Sequence, residues 1–238
     1  HFAWNRAVKI AQGELFVPAD SDDVFIHETL KKFIYHWESI LENERDKYSG
    51  INVLCKDSEN GEIVGNKFPE SPFISNNLDL YYKYKMEGEK LGCIKTDILK
   101  CFMFPEKFKR TYFPESFLWH SIARKYQNVS VNESLRIYYQ DSGNQISSKS
   151  TENILNDAFG KYYYLSWNLN ANLDYKLKYE NPISLIKSCL NLWRLGLLSD
   201  NSVFDIINKM RGISKLLTIV TAMPGLIVYW LTYGKIKK

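Results

Sequence analysis

Three carboxylates crowd one short stretch, Asp20-Ser21-Asp22-Asp23. Asp20 and Asp22 are two positions apart, and in extended backbone residues i and i+2 project to the same side. Carboxylates held together repel and raise each other's pKa unless a cation joins them. A hard divalent ion does so through oxygen ligands, and Mg²⁺ usually completes its shell with substrate phosphates. Asp23 has a plainer use, as the cap of a following helix. Stretches rich in Asp and Ser also make ordinary turns, so the motif alone is compatible with a metal site and with a turn.

A further carboxylate, Glu115, lies in Phe113-Pro114-Glu115-Ser116-Phe117-Leu118-Trp119. Pro114 suits the first turn of a helix running to about Lys125. Glu115 at that turn complements the helix dipole. Trp119 follows at i+4 on the same face. His120 reads as a surface or satisfied polar residue. The cysteines, Cys55, Cys93, Cys101 and Cys189, form no C-x-x-C pair. They suggest neither a zinc site nor a disulfide framework, and read as free thiols in a reducing cytosol.

The elements that must position these groups alternate between helix and strand. Ala3, Ala7, Val8 and Ala11 share one face of a helix over 3–12, and Gly13 ends it. Leu15-Phe16-Val17 is a short buried strand, although Pro18 removes a ladder donor. The acidic loop follows, at the carboxyl end of a strand, where open α/β sheets place their ligands. An amphipathic helix is expected over about 26–44, burying Leu30, Phe33, Ile34, Trp37, Ile40 and Leu41. Further on come a strand over 51–55, a hairpin turn at Asn60-Gly61 and a helix over 78–87. A short helix from Thr96 to Cys101 and strands over 129–131 and 135–139 complete this half. Residues 141–150 form a polar loop that would close over the site. Helices are expected over 151–175, 182–198, 202–211 and 215–233.

Taken together, Ala3-Trp4-Asn5-Arg6-Ala7, Ala11-Gln12-Gly13-Glu14 and Asp20-Ser21-Asp22-Asp23 resemble the family 2 glycosyltransferases of the GT-A fold. The family pattern is an A-x-N-x-G/A helix, an A-x-G-E helix end, an apolar strand and a D-S-D-D loop. Glu115, 93 positions beyond Asp22, matches a subgroup with P-E-x-x-L-W. Pro18-Ala19 and Ala7 depart from the usual residues without removing a ligand, and the commoner Glu-Asp pair at 115 is reduced to Glu alone.

The resemblance implies an α/β fold, a GT-A-like partial mixed sheet flanked by helices over 1–140. A mostly helical carboxyl-terminal extension over 141–238 would follow. It implies Asp20 and Asp22 as ligands of Mg²⁺ or Mn²⁺ and, with Asn5, as contacts to a nucleotide-diphosphate sugar donor. Glu115 would be the catalytic base and Trp119 an acceptor contact. The reaction would be inverting transfer to a saccharide or lipid-linked acceptor in bacterial surface polysaccharide synthesis. The amino-terminal nucleotide-binding strands are expected to be missing, so the isolated 238 residues should not turn over.

Composition is consistent with this but does not require it. Aromatic residues make up 15% of the chain, which suits sugar faces as well as a large core. A net charge of +4 without a basic stripe argues against nucleic acid as a partner. Leu216 to Tyr233 is apolar apart from threonines, is interrupted by Pro224-Gly225 and is followed by lysines. It reads equally as a peripheral membrane contact and as a core helix pair. The expected location is cytoplasmic, at the inner face of the cell membrane on the first of those readings. A non-catalytic scaffold and a metal-dependent nucleotidyltransferase are the competing functions. The second lacks a Gly-rich, basic phosphate loop in this chain.

Overall fold

A computed structural model describes residues 1–20, 24–106, 112–139 and 151–236, with backbone alone for 151–156 and 235–236. The chain is an α/β protein that divides into two compact units. The sheet unit comprises 2–104 and 118–146; the helical unit comprises His1, 105–117 and 147–238. Asp22, Asp23 and the loop 141–150 lie outside the described residues.

The sheet unit opens with α1 (Phe2–Ile10), then β1 (Leu15–Phe16), β2 (Val24–Phe25) and α2 (Thr29–Glu38). β3 (Tyr48–Asp57), β4 (Phe73–Ser75), β5 (Lys90–Lys95), α3 (Thr96–Cys101), α4 (Ser116–Ala123) and β6 (Gln127–Tyr138) follow, α4 straddling the boundary between units. The strands form one mixed sheet in the order β1-β5-β3-β6-β2, with β4 also on β6. β3 and β6 are parallel, and every other pairing is antiparallel.

Alternation along β3 explains its burial on both faces. Ile51, Val53 and Cys55 join Phe33 and Trp37 of α2 in one core, while Leu54 joins Phe68, Phe73 and Leu80 in another. α2 is shorter than its apolar pattern predicts. Thr29, Phe33 and Trp37 face the sheet at i, i+4 and i+8, and the chain tightens into a 3₁₀ helix over Glu42–Lys47. Leu30, Ile34 and Leu41, expected in the core, are exposed. Leu30 and Ile34 instead line an open groove of about 430 Å³ with Leu15 and Val17. The expected helix over 78–87 is only one π-helical turn, Asp79–Lys83.

The two strands expected after Val129 are a single strand, β6, whose pairing with β3 shifts register near Val53 and Leu54. Polar residues mark that irregularity because they serve neighbouring segments. Asn132 exchanges both amide bonds with the backbone of Phe68, and Glu133 reaches Lys32 and His36.

The helical unit holds α5 (Thr151–Ala171), α6 (Leu173–Tyr179), α7 (Pro182–Leu198), α8 (Val203–Lys209), α9 (Gly212–Val220) and α10 (Ala222–Ile236). Asn181 caps α7, with Pro182 at its first turn, and Ser202 with Asp205 forms a reciprocal capping box on α8. Tyr162, Leu169, Leu192, Trp193 and Ile206 make its core. The apolar segment expected over 215–233 is two helices that break at Thr221.

Candidate functional site

β1 is short, but its register fixes where the acidic loop begins. Leu15 pairs with Lys95 and Phe16 with Ile94, antiparallel. Continued to Asp20, that register sets it level with the start of β5 at Lys90. Glu14 anchors the strand start: its carbonyl accepts from the Thr96 backbone N–H at 2.9 Å, and its Oε1 from Trp37 Nε1–H at 2.7 Å. β1 runs antiparallel to β5, and β5 antiparallel to β3, so β1, β3 and β6 all point the same way. Asp20 thus emerges at the carboxyl end of those strands, as expected from the sequence.

The chain then joins β1 to β2, at opposite ends of the strand order.

Arg136 of β6 stands at this edge. Its guanidinium is 3.5 Å from an Asp20 oxygen and 3.4 Å from a Glu89 oxygen. The Arg136 side chain is only 6% exposed, whereas that of Asp20 is 68% exposed. Its Nε–H donates to the Cys55 Sγ at 3.2 Å, across the in-register Cys55–Arg136 pair of β3 and β6. It also lies 5.7 Å from the Tyr138 ring centroid. Burial pushes the Cys55 thiol pKa up, and Arg136 partly opposes this. Lys90 is pulled down, chiefly by burial, with Cys55 and Glu89 opposing. Its ammonium donates to the Glu87 carbonyl at 2.6 Å. Among the described residues the edge thus carries the cations Arg136 and Lys90 with the carboxylates of Asp20 and Glu89.

Oxygen donors suit Mg²⁺ or Mn²⁺, and an exposed Asp20 offers one of them. Asp22, the other expected ligand, is outside the described residues. Among the described residues, no group of three or more His, Cys, Asp or Glu side chains converges.

The other expected residues have structural partners. Asn5 is buried in α1, its amide donating to the Phe104 carbonyl at 2.8 Å and accepting from the Phe104 N–H at 3.1 Å. Trp119 of α4 meets Trp4 edge-on, with ring centroids 5.7 Å apart. Trp4 also contacts Phe16 and Phe104. His120 is buried beside Tyr81 and Tyr82 rather than at the surface. Glu115 is exposed just ahead of α4 and belongs to the helical unit, whereas Asp20 and Trp119 belong to the sheet unit.

Arg136, Glu89 and Lys90 escaped the reading of the sequence. Arg136 had a visible signal: it is a lone cation inside the apolar run Leu135-Arg136-Ile137-Tyr138. A charge in such a run needs a partner, and acids are the natural choice. Compared with models of known protein families and with curated proteins, the chain gives no significant match.

Proposed function

We propose that the chain carries the metal-binding and acceptor-activating residues of an inverting glycosyltransferase of the GT-A type. The donor would be a nucleotide-diphosphate sugar, and the acceptor a saccharide or lipid-linked saccharide. The observation that carries this reading is Asp20 at the carboxyl edge of a mixed sheet, exposed and steadied by Arg136. The Asp20-to-Asp23 motif and Glu115 are the sequence features that join it.

Asp20 and Asp22 would hold Mg²⁺ or Mn²⁺ beside the donor diphosphate, and a bound ion would supply positive charge to the leaving nucleoside diphosphate. Arg136 fixes the Asp20 carboxylate and adds positive charge to the same edge. Glu115 accepts the proton of the acceptor hydroxyl as that oxygen bonds to the anomeric carbon. The bond from that carbon to the diphosphate breaks on the opposite face, which inverts the centre.

The contact with Arg136 also favours a second reading, a non-catalytic scaffold whose loop is simply tied down. Calorimetric titration of the full-length protein with UDP, GDP and dTDP in the presence of Mn²⁺ separates the two. A transferase requires binding of at least one of them that needs Mn²⁺ and is lost in Asp22→Ala. Product analysis of the donor sugars with Mn²⁺ then tests the base: Glu115→Gln should keep donor binding and lose transfer. Absence of Mn²⁺-dependent binding for all three nucleotides favours the scaffold.

A further inference from the structure

Helix α9 is inside out. Its buried residues are Ser214 and Thr218. The Ser214 hydroxyl donates to the Leu169 carbonyl at 2.6 Å, and that of Thr218 to the Ser214 carbonyl at 2.8 Å. Thr221, at the break, donates to the Leu217 carbonyl at 2.8 Å. In α10 the inward residue is Gly225, where a Cβ would sit 2.5 Å from the Trp193 side chain. The Trp193 indole N–H in turn donates to the Thr218 carbonyl at 3.0 Å. Small residues turned inward let helices approach closely, which is how helices pack in lipid.

The large apolar side chains point the other way. Ile213, Leu216, Val220, Met223, Ile227 and Trp230 are 58–73% exposed. Their spacing alternates between three and four residues, so they form one stripe that continues from α9 into α10. Charge along this segment is of one sign. After Asp205 the chain has no acidic residue, and its ionised side chains are Lys209, Arg211, Lys215, Lys235, Lys237 and Lys238.

We infer that this stripe is a docking surface for an anionic lipid bilayer, on which α9 and α10 lie in the interface rather than cross it. Neither helix crosses alone, and one face of the pair is covered by Leu169 and Trp193 of the helical unit. α9 has 9 residues and α10 has 15, or about 14 Å and about 22 Å, against a hydrocarbon core of about 30 Å. Among the described residues no single helix is long and apolar enough to span, and the pair passes that test only across a 63° bend. The same bend decides against a straight partner helix, which cannot follow the stripe through both segments. Tyr229, Trp230 and Tyr233 cluster with ring centroids 5.5–6.0 Å apart, the residue types favoured at headgroup depth. The basic residues complement an anionic leaflet. This surface stands whether or not the chain transfers sugar.

Vesicle co-sedimentation of the full chain tests it, with phosphatidylcholine alone and with about 30% phosphatidylglycerol added. Binding should favour the anionic vesicles and weaken between about 0.1 M and 0.5 M salt. A variant with Leu216, Val220, Met223 and Ile227 all changed to Ser should bind about tenfold or more weakly with an unchanged circular dichroism spectrum. Should that variant misfold, Arg211→Glu with Lys215→Glu probes the charge instead, with a loss of about tenfold expected. Three outcomes overturn the inference. One is wild type that stays in the supernatant with both vesicle types. Another is a folded variant, of either design, that binds like the wild type. The third is a dimer in sedimentation velocity without lipid that the serine variant dissolves.

Discussion

Arg136 and Asp20 meet at 3.5 Å although one side chain is buried and the other is mostly exposed. The buried partner dictates the arrangement. A guanidinium cannot give up its proton, so it must find acids or acceptors wherever the fold puts it. Asp20, Glu89 and the Cys55 sulfur provide them.

Arg136→Met should destabilise the protein by about 1–3 kcal/mol in urea unfolding, chiefly through lost packing and hydrogen bonds. Asp20 and Glu89 are exposed enough to return to water, which keeps the cost below that of a stranded buried charge. Arg136→Lys retains the charge but not the planar fork, so it should fall between the two. A midpoint unchanged in Arg136→Met would show that the contacts carry no stability.

Asp20→Asn should change stability by less than about 1 kcal/mol, because the carboxylate is mostly solvated. Any large effect should appear instead in Mn²⁺-dependent nucleotide binding. Comparing the unfolding midpoint with the calorimetric titration separates the two roles. Large destabilisation with nucleotide binding intact would make the loop an anchor and nothing more.

Glu133 gives a pH signature. Hydrogen bonds and charge from Lys32, assisted by His36, hold its pKa below the ordinary 4.5. A depressed folded-state pKa adds stability that is fully present above 4.5 and disappears as pH falls through the lower folded value. Both Glu133 and Lys32 are partly exposed, so the contribution should stay below about 1 kcal/mol. Glu133→Gln should be less stable than wild type at pH 7, and the gap should close as acid is added. A gap that persists to pH of about 2 would assign the difference to packing rather than to charge.

The thiols should label unequally. Cys93 is buried and pushed up to about 12, and burial also raises Cys55 and Cys189. Cys101 alone of the four is exposed. Iodoacetamide at pH of about 8 should therefore modify Cys101 first in the native protein and all four cysteines in urea, as read by mass spectrometry. Rapid native labelling of Cys93 would mean that the centre of the sheet opens readily.

Several elements were legible in the sequence because their signals are local. The cap and proline that start α7 lie at Asn181-Pro182, and β3 advertises itself through its apolar run. β5 was missed because Lys90-Leu91-Gly92-Cys93-Ile94-Lys95 is short and carries a glycine. That glycine has a reason visible only in three dimensions: a Cβ at Gly92 would lie 3.1 Å from the Asn52 side-chain oxygen. The buried face of α2 was drawn too wide, since Leu30 and Ile34 are as apolar as Phe33 and only the sheet selects among them. At the candidate site Asp20 was readable from the spacing of its motif, and Glu89 was not. Arg136 stood out as a cation in an apolar run, but its partners did not, because its contact with Cys55 joins residues 81 positions apart through a parallel pairing.

The two-residue strand β1 acts as a vernier for everything downstream of it. Only Leu15 and Phe16 pair with β5, yet they determine how far Asp20 projects past the end of the sheet. Displacing that pairing by a single position would carry Asp20 about 3.3 Å along the strand and turn its side chain to the other face. One codon gained or lost between Gly13 and Asp20 would therefore be a more damaging lesion than many substitutions within the acidic segment itself.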